Sequence, residues 1–226
     1  MRTRTGAPTP LLVLGGIGVV VALALLVATG WSDPLDSAVI TGVRSPDLSG
    51  LLAPLRQITE LGSTAAVIAV AVLTLALAVA IGPWRHGVAG ALTTMGASFL
   101  NGSIKLVIAR ERPDLLEPLI RERGFSFPSG HAAIAMVAYG ILAVVIGRSR
   151  LPRPLRAALI GGLLLLVLLI GMSRVWLGVH YPTDVLAGWT AGAVIVLLYR
   201  FLTRTVSREP SEAAVDAPED TGAPPV

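Results

Sequence analysis

Polar positions are scarce along this chain, and they punctuate it. Between them run apolar stretches long enough to cross a bilayer, for which about 20 mostly apolar residues suffice. Six windows meet that length: Leu11 to Thr29, Leu61 to Ile81, Gly87 to Ala109, Pro128 to Ile146, Leu155 to Met172 and Pro182 to Leu202. The pattern predicts an all-α, polytopic membrane protein built as a six-transmembrane-helix bundle. Residues 1–10 precede the bundle, residues 11–204 form it, and 205–226 follow it. The last segment is acidic and rich in Pro and Ala. It lacks the apolar surface to fold alone and reads as a disordered tail. The stretch from Pro46 to Glu60 is amphipathic, with Leu51, Leu52, Leu55 and Ile58 spaced among polar residues. A short interfacial helix and a simple loop are both compatible with it.

The first apolar run follows Arg2 and Arg4, as a signal peptide would. It exceeds the ~7–15 apolar residues of a signal sequence, and no small-x-small cleavage site follows, so it reads as an uncleaved helix. Composition agrees with the membrane class: 54% of the 226 residues are hydrophobic and only 14% charged, where soluble domains carry about 25%. There is no cysteine, which excludes disulfides, thiolate nucleophiles and Cys-type zinc sites. Nothing points to nucleic acid as a partner, and oligomeric state is not legible.

The net charge of +4 matters less than where the charges fall. With the N-terminus inside, the inner segments hold Arg2, Arg4, Arg85, Arg148, Arg150, Arg153, Arg156, Arg200, Arg204 and Arg208, and their short loops carry no acid. That asymmetry follows the positive-inside rule and places both termini in the cytoplasm. The outer segments still contain the other eight basic residues. Those charges need a functional reason to be there.

Six spans bring four polar stretches to one end of the bundle, the outer one. Lys105 and Arg112-Pro113 close the third span, Pro128-Ser129-Gly130-His131 opens the fourth, Ser173-Arg174 closes the fifth, and His180 with Asp184 opens the sixth. Lys105 lies about two turns (~10.5 Å) before Arg112. Alone it could snorkel, and Arg112 alone could be a solvated loop charge. Pro128 suits the first position of a helix. Ser129, Gly130 and His131 would then offer first-turn amides to an anion, with Gly130 allowing close approach and Ser129 adding a hydroxyl. Asp184 in the first turn of the sixth span is close enough to hold one ring nitrogen of His180, leaving the other as base or nucleophile. Arg174 adds a fork-shaped donor. So cationic a lining disfavours a metal and favours an anion. His86, on an inner loop, has no evident role, and the loop from Asp114 to Phe127 is placed to shape the entrance.

The three stretches K-x6-R-P (Lys105, Arg112, Pro113), P-S-G-H (Pro128 to His131) and S-R-x5-H-x3-D (Ser173, Arg174, His180, Asp184) resemble the three signatures of the type 2 phosphatidic acid phosphatase superfamily. The resemblance spans residues 105–184, with every defining position filled. It implies a metal-independent lipid phosphatase with no cofactor. His180 would be the nucleophile that becomes phosphohistidine, Asp184 its orienting carboxylate and His131 the acid and then the base. Lys105, Arg112, Ser129, Gly130 and Arg174 would bind phosphate. It also implies a bell-shaped pH profile, a lipid phosphate substrate and membrane lipids as surroundings. An outward site suits a polyprenyl diphosphate such as undecaprenyl diphosphate. Phosphatidic acid, diacylglycerol diphosphate and phosphatidylglycerol phosphate are the alternatives, as is a lipid phosphotransferase using the same intermediate. The related vanadium haloperoxidases are soluble, which six spans disfavour, and a non-catalytic transporter or sensor would be expected to have lost motif positions.

Overall fold

The computed structural model describes residues 9–44, 49–81 and 84–205. The basic N-terminus, and the tail expected to be disordered, lie outside the described residues. Eight α-helices are found among them: α1 (Thr9–Ala28), α2 (Asp33–Arg44), α3 (Leu52–Glu60, preceded by a 3₁₀ turn at Ser49–Leu51), α4 (Thr64–Ile81), α5 (Trp84–Ile108), α6 (Gly130–Gly147), α7 (Arg153–Trp176) and α8 (Pro182–Thr205). Six of them, α1 and α4 to α8, are long and apolar enough to cross a membrane. They correspond to the six predicted windows, and the protein is a multi-pass membrane protein.

The helix α6 is the centre of the bundle. Eleven of its eighteen residues are buried, against Val27 alone in α1. It packs on α4, α5, α7 and α8, while α1 leans on α8 from outside. A helix that is apolar all round yet exposed, as α1 is, has lipid rather than water as its natural surroundings. The contact between α6 and α8 is set by small residues. A Cβ on Gly188 would lie 2.7 Å from the Ser129 carbonyl oxygen, and one on Gly192 would lie 2.7 Å from that of Ala133. Small residues four apart let two spans approach closely.

Several boundaries differ from the sequence expectation. The fourth span starts at Gly130, not Pro128, because Ser129 is the N-cap: its hydroxyl accepts from Ala132 N at 3.5 Å. The fifth runs one turn past Met172 and so carries Ser173 and Arg174 inside the helix. The amphipathic stretch resolves as a helix over Leu52–Glu60 that packs on α7, burying Leu55 against Leu177 and Val179. Helix α2 has no counterpart among the elements that the sequence pattern predicts. Its Asp33, Pro34 and Asp36 look like turn residues in sequence, but a helix N-terminus welcomes all three, and burial of Ile40 against Ala132, Val175 and Val185 holds it in place.

Candidate active site

The site is assembled at the end of the bundle where α5 and α7 stop and α6 and α8 begin. Helix α7 ends with Gly178 in the left-handed conformation (φ +74°), the usual way to reverse a chain after a helix. A Cβ there would lie 2.6 Å from an Arg44 guanidinium nitrogen. The reversal carries His180 to the start of α8, where the side chain is 2% exposed.

Asp184, fully buried in the first turn of α8, is the hub. Its Oδ2 lies 3.3 Å from His180 Nδ1 and accepts from Tyr181 N at 2.9 Å and from the Ser126 hydroxyl through a very short bond. Its Oδ1 accepts from Arg110 at 2.9 Å. A proton on His180 Nδ1 satisfies the carboxylate and leaves a lone pair on Nε2, which faces the Arg112 guanidinium at 3.3 Å. Burial, opposed by Asp184, lowers the His180 pKa to about 4, so the ring is neutral at physiological pH.

The cations are held in place by the loop between α5 and α6. Lys105 Nζ donates to the carbonyls of Phe125 (2.6 Å) and Ser126 (3.1 Å). Arg112 donates to those of Arg123, Gly124 and Val179. Burial lowers its pKa. Arg174, 1% exposed, bonds Thr59 of α3 at 2.7 Å and the Glu122 carboxylate, and its buried Nε has no partner. Glu122 also stands 3.9 Å from Arg112. Burial would raise the pKa of this carboxyl, but Arg174 outweighs it and holds it below the usual range. A carboxylate thus sits between two guanidiniums at the place where an anion is expected. His131 is near enough to act on the same Glu122 charge.

Ser129 and Gly130 occupy the start of α6. The Ser129 amide donates to the Asp184 carbonyl at 3.0 Å, tying α6 to α8. The Ser129 hydroxyl oxygen is used in the cap, which leaves its hydrogen free to donate. A Cβ on Gly130 would lie 3.3 Å from Asn101, whose buried Oδ1 has no partner. Gly130 and His131 line one end of a cavity of about 500 Å³ that continues between α4, α5 and α6 past Val67, Ile68, Thr94 and Ile134.

Ser126 and Thr59, already placed against Asp184 and Arg174, escaped the sequence reading, and so did Arg110 and Asp36. Arg110 donates to Asp184, to Asp36 (2.8 Å), to Asp33 (3.1 Å) and to Thr183 (2.8 Å), and it lies over the Tyr181 ring at 3.9 Å. Burial opposes its charge, but Asp184 and Asp36 outweigh burial and raise its pKa. Asp36, fully buried, accepts from the Thr183 amide (3.0 Å) and hydroxyl (2.6 Å). The one available signal for Arg110 was the surplus of outer arginines. Asp36 gave none, because its partners lie 74 and 147 residues away in the chain. His86, without a role in the sequence reading, bonds Arg148 through Nδ1 at 3.1 Å.

Fold and site together define a polytopic helical membrane protein with a histidine–carboxylate pair set among buried cationic side chains. A sequence model of the PAP2 superfamily matches residues 86–207, and the chain belongs to that superfamily of membrane lipid phosphatases. It is 37% identical over 113 residues to phosphatidylglycerophosphatase B of Bacillus subtilis, an alignment covering 48% of this chain and 54%, about half, of that relative. It is 33% identical over 172 residues to decaprenylphosphoryl-5-phosphoribose phosphatase of Mycobacterium tuberculosis, covering 71% of this chain and 86% of that one. Among solved structures, a transmembrane PAP2-type phosphatidylglycerolphosphate phosphatase from Bacillus subtilis superposes with a TM-score of 0.79 at 26% identity, covering 87% of this chain and 98% of that one.

Proposed function

We propose that this protein hydrolyses a lipid phosphate or diphosphate without metal, through a phosphohistidine formed on His180. The observation that carries the reading is the His180 ring itself: buried, neutral, with Nδ1 on Asp184 and Nε2 facing Arg112. The Nε2 lone pair attacks phosphorus. The P–N bond forms as the bond to the leaving oxygen breaks, and His131 gives that oxygen its proton. Water then attacks the phosphohistidine, His131 takes its proton, and phosphate departs with His180 restored. Lys105, Arg112, Arg174, Ser129 and the Gly130 backbone stabilise the charge on the transferring group, the largest contribution a protein makes to such a reaction. The phosphate displaces Glu122 from Arg174.

The apolar cavity beyond His131 suits the chain of a lipid whose head group reaches the pocket. Among lipids, a polyprenyl substrate such as undecaprenyl diphosphate is favoured, because the sequence alignment with a decaprenyl-linked phosphatase extends over more of this chain than the one with a glycerolipid phosphatase, while the structural likeness to a phosphatidylglycerolphosphate phosphatase covers 87% of it. Phosphatidylglycerol phosphate is the alternative. The arginine-rich opposite end supports a cytoplasmic placement for both termini and an extracytoplasmic one for the reaction. The test is phosphate release by the purified protein from undecaprenyl diphosphate, phosphatidylglycerol phosphate, diacylglycerol diphosphate and phosphatidic acid, with chelator present. Wild type is expected to turn over at least one, fastest with the polyprenyl diphosphate, and His180→Ala none. Activity retained in His180→Ala, or abolished by chelator, overturns the mechanism.

A further inference from the structure

At the end of the bundle away from His131 and His180, α6, α7 and α8 surround a second groove of about 460 Å³. Its wall is apolar, formed by Met136 and Val144 of α6, Ile160 and Leu164 of α7, and Val196 and Leu197 of α8, and its mouth carries Arg148, Arg200 and Arg204. Arg148 is fixed there by Thr203 (2.7 Å) and His86 (3.1 Å). Burial lowers its pKa, and so do the charges of Arg204 and Arg200. No ion pair among the described residues engages any of them. Repelling guanidiniums at an apolar opening call for an anion with an apolar body. From Met136 to Arg148 the groove wall on α6 runs about 18 Å at the helical rise, slightly more than half of a hydrocarbon core of about 30 Å. That is the depth of a single leaflet.

We propose that this groove binds an anionic phospholipid of the leaflet opposite the reaction, its phosphate on Arg148, Arg200 and Arg204 and an acyl chain along α6. Basic pockets between spans are suited to such head groups. The site is separate from the one that turns over substrate, and it rests on the far ends of the same three helices that carry His131, Arg174 and Asp184.

The experiment measures binding of phosphatidylglycerol and phosphatidylcholine to the purified full-length chain by native mass spectrometry. Phosphatidylglycerol is expected to bind in preference to phosphatidylcholine. The R200Q/R204Q variant should bind it on the order of 30-fold more weakly, while R200K/R204K keeps it. Phosphate release from a lipid phosphate serves as the check on folding, since Arg200 and Arg204 are exposed and lie at the opposite end of α8 from His180. Equal binding of the two lipids, or full retention in R200Q/R204Q, overturns the proposal. So does a chain that binds phosphatidylglycerol only after residues 206–226 are removed, because the groove would then belong to the acidic tail.

Discussion

His180 stands between charges of opposite sign, with Asp184 on one ring nitrogen and Arg112 on the other. Burial decides the balance and keeps the ring neutral. The consequence for pH is specific. In the unfolded chain this histidine takes a proton near pH 6.5, and in the folded protein only near pH 4. The folded state therefore loses stability as pH falls from 6.5 to 4, by about 3 kcal/mol in all, and no further below that. Histidine-selective NMR is expected to show one ring titrating near pH 4, and no histidine midpoint below 6 would refute the burial argument. Arg110 makes the second residue-scale prediction. Its fork joins two fully buried carboxylates, and leaving one buried charge uncompensated costs on the order of 3–5 kcal/mol. Arg110→Lys keeps the charge but cannot reach both in the same geometry. It should lower kcat by on the order of 10–100-fold, the loss seen when a partner that orients a metal ligand is removed, with KM little changed because the Arg110 guanidinium is committed to Asp36 and Asp184. A change confined to KM would instead make it a substrate ligand.

Among the elements, the two short helices matter more than their size suggests. Helix α2 brings Asp36 to Arg110 and Thr183, and α3 brings Thr59 to Arg174. Neither was legible as part of the site. A buried carboxylate on a short helix has no local signature, and its partners become neighbours only when the bundle closes. The long helices were legible because a span must satisfy its backbone internally and present apolar side chains over a fixed length. Their packing was not. The α6–α8 crossing depends on Gly188 meeting backbone atoms of the Ser129 turn, and that turn carries the P-S-G-H stretch. Gly188→Val should therefore cost about 1–3 kcal/mol of stability through overpacking and reduce activity by moving His131 relative to His180. Melting in detergent alongside phosphate release measures both, and a variant equal to wild type in each would show that the crossing can relax.

For the whole molecule, the disposition of charge is the useful observable. The absence of cysteine permits single-cysteine labelling without prior substitution. Arg121 lies on the loop beside the site and Arg150 between α6 and α7, both exposed. With an impermeant thiol reagent on intact cells, Arg121→Cys should label directly and Arg150→Cys only after the membrane is opened. The reverse result would put the reaction on the cytoplasmic side and remove the argument for an extracytoplasmic substrate.

The sequence by itself determined the class of fold, the number of candidate spans and the residue types proposed for the site, because apolar length and motif spacing are local properties. It placed His131, His180, Asp184, Lys105, Arg112 and Arg174 at one end through helix parity alone. Only the tertiary structure decided what each of them touches: that Asp184 is shared between His180 and Arg110, that Glu122 occupies Arg174, and that Asp36 and Thr59 belong to the same assembly. Those relations depend on distances between segments far apart in the chain. Close packing of α6, α7 and α8 fixes such distances, and no pattern within one segment records them.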